Sequence, residues 1–208
     1  MVQITHTGKN EEMLHSIMSV AQSRFGLYGL EKTSMQEIAT DLGLSKGSLY
    51  YYFPDKQSLY IAVIEKELEQ FFGIVAERLE KINDPAEKLR AYVQARQDHF
   101  RILLNLNRFR AEDWEGMKKL LAQSWIAFRA KEIALISAIL NTGNKEAIFF
   151  IDNPDEVAAI FLDMLRGLRM ALISKKDLVA IDPHEYDQLW PKINMFLEIF
   201  IKGLKNNK

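Results

Sequence analysis

Apolar residues recur at intervals of three and four along almost the whole chain, and the strict alternation of a half-buried strand is essentially missing. The pattern predicts an all-α protein. Leu14, Ile17, Met18, Ala21, Phe25 and Tyr28 form one stripe of a helix over about 10–28, which Gly29 stops. A second helix opens at "TSMQEIATDLG": Ser34 can cap it with Glu37 three residues later, Ile38 and Leu42 face inward, and Gly43 offers the left-handed residue that ends a helix. A third runs from Ser45 to Tyr52 or Phe53 before Pro54, and Asp55 with Ser58 starts a fourth over about 56–80. Beyond "NDPAEK" longer, bundle-like helices are predicted over about 85–107 and 116–140, with a short piece near 109–114. "LNTGNKEAIFFIDNP" is the longest interruption. Asn153 and Pro154 then supply a cap and a first-turn proline for a helix over about 155–174, and a last helix over about 184–205 carries Pro191 as a kink. No Gly/Ser linker separates the halves, so the seam should fall along the fourth helix, with a domain assigned to residues 1–55 and another to 56–208.

At 208 residues the chain can bury a substantial core, and its net charge of −1 gives no general signal for a polyanion partner. The absence of cysteine excludes disulfides, thiol catalysis and thiolate metal sites. No apolar run is long enough for a membrane span, and the polar start "MVQITHTGKNEE" is unlike a signal peptide, so a cytoplasmic protein is expected. His6, His15, His99 and His184 are scattered without metal spacing, and there is neither a Gly-rich phosphate loop nor a nucleophile in a recognisable setting. These features point away from an enzyme, a metal site and a cofactor.

The stretch "LSKGSLYYYFPDK" places three tyrosines in a row in a segment too short and too polar to be core. If Leu49 and Phe53 anchor it as an i, i+4 pair, Tyr52 lies about 60° from Leu49 and can pack, while Tyr50 lies about 100° and Tyr51 about 160° away. Gly47 and Ser48 share that outer side. Half-buried packing is the ordinary reading of helical tyrosines, and it fails for Tyr51. Two short helices joined by a glycine turn and propped by a preceding helix are the parts of a helix-turn-helix DNA reader. Ala39 supplies the small residue where the helices meet and Gly43 the turn. Ser45 starts the second helix with backbone N–H groups able to grip a phosphate, and Gly47 lets the backbone approach the duplex.

The string "SMQEIATDLGLSKGSLYYYFPDKQSLYIAVIE", above all "IAxxxGLSKGSLYxYF" and the lysine after the next proline and aspartate, resembles the amino-terminal segment of the tetracycline-repressor (TetR) family of bacterial transcriptional regulators. The likeness covers about residues 10–65. It implies that Ser45, Lys46, Gly47, Ser48, Tyr50 and Tyr51 meet phosphates and base edges in the major groove, and that Ser34, Gln36 and Lys56 hold the DNA backbone. Residues 1–56 carry five basic residues (Lys9, Arg24, Lys32, Lys46, Lys56) against six acidic ones, so few counterions are released and the salt dependence of binding should be shallow.

For the remainder the resemblance implies a larger helical bundle for ligand binding and dimerisation, whose last two long helices form a four-helix bundle with a second copy. "DEVAAIFLDMLRGLRMALI" and "LWPKINMFLEIFIKGL" are apolar on more than one face, which suits either that homodimer or a thick monomer core. It also implies a small-molecule effector pocket among the middle helices, where Phe100, Leu103, Phe109, Trp114, Trp125, Phe128 and Met164 could line an apolar cavity. Arg96 interrupts the apolar stripe Leu89, Val93, Phe100, Leu103, with His99 beside it. It either pairs with an internal carboxylate such as Asp113 or Asp163 or awaits an anionic ligand. The function implied is a repressor that leaves a palindromic operator when a small apolar or amphipathic effector displaces the fourth helix. The alternative is a DNA-binding regulator controlled by a protein partner, without a pocket.

Overall fold

A computed structural model describes residues 4–102, 109–110, 114–173, 178–179 and 183–205. The first helix, α1 (Ile4–Lys32), buries Ile17, Ala21 and Phe25 at four-residue spacing, and its regular course ends at Gly29, whose φ of 82° and ψ of 165° suit only glycine. Helix α2 (Met35–Asp41) begins with the expected capping box: the Ser34 Oγ accepts from Glu37 N at 3.2 Å, and Glu37 Oε2 accepts from Ser34 N at 2.8 Å. Such a cap stabilises by about 1 kcal/mol. It ends in a Schellman turn, with Leu44 N donating to Ala39 O (2.8 Å), Gly43 N to Thr40 O (3.0 Å), and Gly43 at φ 65°. Arg24 of α1 clamps α2 through Asp41 (2.5 Å) and Glu37 (3.3 Å).

Helix α3 (Lys46–Tyr52) is anchored by Leu49, which is fully buried, and closes on Phe53. Asp55 Oδ1 accepts from Ser58 N at 2.7 Å to start α4 (Lys56–Glu80). One end of α4 packs on α1, where Phe25 meets Tyr60 edge-on at 5.1 Å. Further along, Phe71 enters the core of the body, so one continuous helix is packed at both of its ends.

The body consists of α5 (Pro85–Ile102), α6 (Trp114–Leu120), α7 (Ala122–Lys145), α8 (Pro154–Ile173) and α9 (Pro183–Lys205). The predicted helix over 116–140 is two helices separated at Leu121, and α7 continues to Lys145, into the predicted interruption. The short helix predicted near 109–114 is absent at its start: Phe109–Arg110 (β1) pairs antiparallel with Leu178–Val179 (β2). Backbone pairing across the chain outweighs local preference there. This pair is the only strand structure among the described residues, and the protein is all-α. Gly143 lies so close to Phe149 that a Cβ would stand 2.0 Å from the ring, which explains a glycine inside α7. Asn153 Oδ1 accepts from Glu156 N (3.3 Å) and starts α8. Arg90 holds Glu198 through two hydrogen bonds of 2.7 and 2.6 Å, tying α5 to α9. No helix among the described residues is long and apolar enough to cross a membrane.

Candidate nucleic-acid interface and internal cavity

The outer side of α3 is open as its angular positions require. Tyr51 is 80% and Tyr50 40% exposed, whereas Leu49 is fully buried and Tyr52 half-buried. Tyr51 is held edge-on against Tyr52 at 5.2 Å, and Lys46 Nζ lies 5.6 Å from the Tyr50 ring centre. Gly47 and Ser48 are exposed on the same short helix, as is Ser45 at its N-cap. A Cβ on Gly47 would meet only Ser45 Oγ, at 3.8 Å, so the space it leaves is open outward. Ser45 Oγ accepts from Ser48 N at 3.0 Å, so one of the N–H groups expected to grip a phosphate is already capped. The Ser34 hydroxyl likewise donates to Glu37 (2.7 Å), and exposed Gln36 reaches Thr40 at 3.4 Å.

Lys56 does not project freely. Its Nζ donates to the carbonyls of Leu30 (2.7 Å) and Glu31 (3.3 Å), neutralising the C-terminal end of α1 and fixing it to the start of α4. An ammonium has three hydrogens, so one remains for a phosphate.

Within the body, a partly enclosed cavity of about 240 Å³ lies among α5, α6, α7 and α8. Arg96 and Phe100 come from α5, Trp125 and Phe128 from α7, and Leu162 and Met170 from α8. Arg96 Nε donates to Glu132 Oε1 at 2.9 Å, and the Tyr92 hydroxyl donates to the same oxygen. Burial opposes the Arg96 charge, but the Glu132 carboxylate and Tyr92 outweigh it and hold the guanidinium protonated well above its ordinary range. Burial, then the Glu132 charge, pushes the Tyr92 phenol well up, so it stays a donor. The guanidinium carbons of Arg96 and Arg169 lie 4.9 and 5.1 Å from the Phe100 ring centre. His99 Nε2 donates to the Glu67 carbonyl (3.1 Å), and its ring lies 5.3 Å from Phe71; burial lowers its pKa, against the pull of that hydrogen bond.

The family model "Bacterial regulatory proteins, tetR family" matches residues 17–63, which span the clamp, the glycine turn and the exposed face of α3. The crystal structure of a transcriptional regulator from Cytophaga hutchinsonii ATCC 33406 is 36% identical, covering 93% of this chain and 99% of that one with a TM-score of 0.83. The chain belongs to the TetR family of transcriptional regulators. The HTH-type transcriptional regulator LmrA of Bacillus subtilis (strain 168) is 35% identical over 79 residues, 38% of this chain, and the match spans only 42% of that relative's length. A putative regulator from Saccharomonospora viridis, solved in complex with choline, shares the fold at 19% identity and a TM-score of 0.65, with 90% of this chain and 96% of that one aligned. Regulators of this family are not enzymes.

Four of the residues proposed from sequence for the regulator's pocket line the cavity: Arg96, Phe100, Trp125 and Phe128. Met164 does not; it is 47% exposed on the outer face of α8, because the inner face of that helix presents Leu162, Leu165 and Arg169 instead. His99 packs into the α4–α5 seam rather than the cavity wall. Leu103 and Asp113 lie outside the described residues, as do the side chains of Phe109 and Trp114. The carboxylate that meets Arg96 is neither Asp113 nor Asp163: it is Glu132, while Asp163 takes Arg129 at 2.8 Å. Sequence reasoning missed Glu132, although it interrupts the apolar run Phe128, Ile136, Leu140 of α7 just as Arg96 interrupts that of α5. It also missed Lys118, Arg129, Arg166 and Arg169, which read locally as solvated charges.

Proposed function

We propose that the protein is a cytoplasmic repressor that binds a palindromic operator as a homodimer and leaves it when a small apolar or amphipathic molecule enters the cavity. In this reading residues 1–55 are the DNA-binding domain and 56–208 the effector-binding and dimerisation domain. The observation that carries it is the exposed Gly47, Ser48, Tyr50 and Tyr51 face of α3, with no core to serve and a backbone that can come close to a duplex. In the same reading Ser45 and Lys46 share its contacts to phosphates and base edges, and Ser34, Gln36 and Lys56 hold the DNA backbone. Ile160 and Met164 on α8 and Met195 and Ile199 on α9, each 47–66% exposed, form i, i+4 apolar pairs suited to a partner copy. A dimer sets two recognition helices about one helical turn of DNA apart, 34–36 Å.

The cavity and the reader are mechanically joined. Ser124, next to cavity residue Trp125, donates to Glu65 of α4 (2.8 Å), and Gln22 of α1 donates to Glu67 of α4 (2.9 Å). A ligand that shifts α7 therefore moves α4 and, through it, the spacing of the readers. The partly enclosed cavity favours a small molecule over control by a protein partner. Selection from a random duplex pool with the full chain tests the reading: a site with two-fold symmetry is expected, and enrichment of no such site overturns it.

A further inference from the structure

The cavity wall is unusual in charge. Among the described residues it presents Arg96, Lys118, Arg129, Arg166 and Arg169 against one carboxylate, Glu132. Glu132 is taken by Arg96, and Arg129 is held at the surface by Asp163 through two contacts of 2.8 and 2.9 Å. Lys118 and Arg169 have neighbours of their own. Arg166 makes no ion pair among the described residues. Two guanidinium groups also approach the single ring of Phe100, an arrangement in which like charges share one aromatic neighbour. Beside these cations stand the apolar surfaces of Trp125, Phe128, Leu162 and Met170. An anion entering such a site relieves repulsion between the cations, and guanidinium forks match the oxygens of a carboxylate or phosphate in pairs. A cation entering it would add to the positive charge of the wall and meet Arg166, which has no carboxylate partner among the described residues.

We propose that the effector is a small amphipathic anion, with a carboxylate or phosphate head met by Arg166 of α8 and an apolar tail against Trp125, Phe128, Leu162 and Met170. This inference rests on the reading of the cavity as the effector site. The volume of about 240 Å³ lies just under the about 300–1,000 Å³ of typical ligand pockets, so a short tail is required.

The test is calorimetric titration of the full chain with octanoate, octyl phosphate, octan-1-ol, octylammonium, acetate and inorganic phosphate. One or both of the octyl anions should bind at least about tenfold more tightly than octanol, since a hydrogen bond to a charged group is typically worth that factor or more. Comparing octanoate with octyl phosphate assigns the head group, and acetate and phosphate without a tail should bind weakly. Arg166→Gln changes an exposed side chain and should lower the octyl anion's affinity about tenfold while leaving that of octanol unaltered. Octanol or octylammonium binding as tightly as the anions overturns the proposal, as does failure of every compound to bind. Affinity for the selected duplex is read separately: an anion that binds without weakening operator binding upholds the ligand class and defeats the effector reading.

Discussion

Arg96→Met tests whether the α5–α7 pair is a strut of the body. The substitution keeps much of the apolar stem beside Phe100 and removes the guanidinium. Glu132, only 5% exposed, then loses its charged partner and retains the Tyr92 hydroxyl. Removing one member of a buried ion pair costs about 3–5 kcal/mol. The surviving Tyr92 bond and the 15% exposure of Arg96 place this case near the lower end, about 3 kcal/mol, or a fall of roughly 6–12 °C in melting temperature for a chain of this size. In Arg96→Met/Glu132→Gln no charge is stranded and the amide oxygen still accepts from Tyr92, so stability should return to within about 1 kcal/mol of wild type. Urea denaturation followed by circular dichroism, with thermal melting alongside, measures all four corners of the cycle. A single variant within about 0.5 kcal/mol of wild type, or a double variant no better than the single, would refute the strut.

His99 is buried with its pKa lowered, so the unfolded chain takes up a proton below the ordinary value of 6.5 before the folded one does. Its contribution to stability is present above that pH and lost as pH falls toward the folded value; His99→Gln should flatten this part of the urea-stability profile, and an unchanged slope counts against it. Lys56→Ala removes the tie to Leu30 and Glu31 and should cost about 1–2 kcal/mol of stability while weakening all duplex sequences alike. A normal melt with an unchanged salt slope would leave Lys56 neither role. Ile160→Glu places a charge on the exposed apolar face of α8 and should give folded monomers by sedimentation that bind operator poorly; an intact dimer would move the interface elsewhere.

The reader was legible in the sequence because its shape is set by local chemistry. Ser34 with Glu37, Gly43, Ser45, and Asp55 with Ser58 each fix one helix end from within a few residues, and the angular position of Tyr51 follows from Leu49 alone. The body was legible only in outline. The β1–β2 pairing brings together residues about 70 positions apart, which helical periodicity does not register. Nor does periodicity show which charge meets which: Arg96 announced a carboxylate partner, for which Asp113 and Asp163 were the candidates, and only the packing of α7 against α5 brings Glu132 to it. The cationic wall was hidden for the same reason, since Arg166 and Arg169 reach the cavity that Arg96 lines only through the packing of α8.

The claim that the outer face of α3 reads DNA is tested most directly by Tyr50→Ala/Tyr51→Ala. Both side chains are substantially exposed, so stability should change by no more than about 0.5 kcal/mol. Affinity for the selected duplex, measured by fluorescence anisotropy at fixed salt, should fall at least about tenfold, with altered preference at the contacted bases. A folded double variant that binds the same duplex as tightly as wild type, with the same preference, would contradict the account.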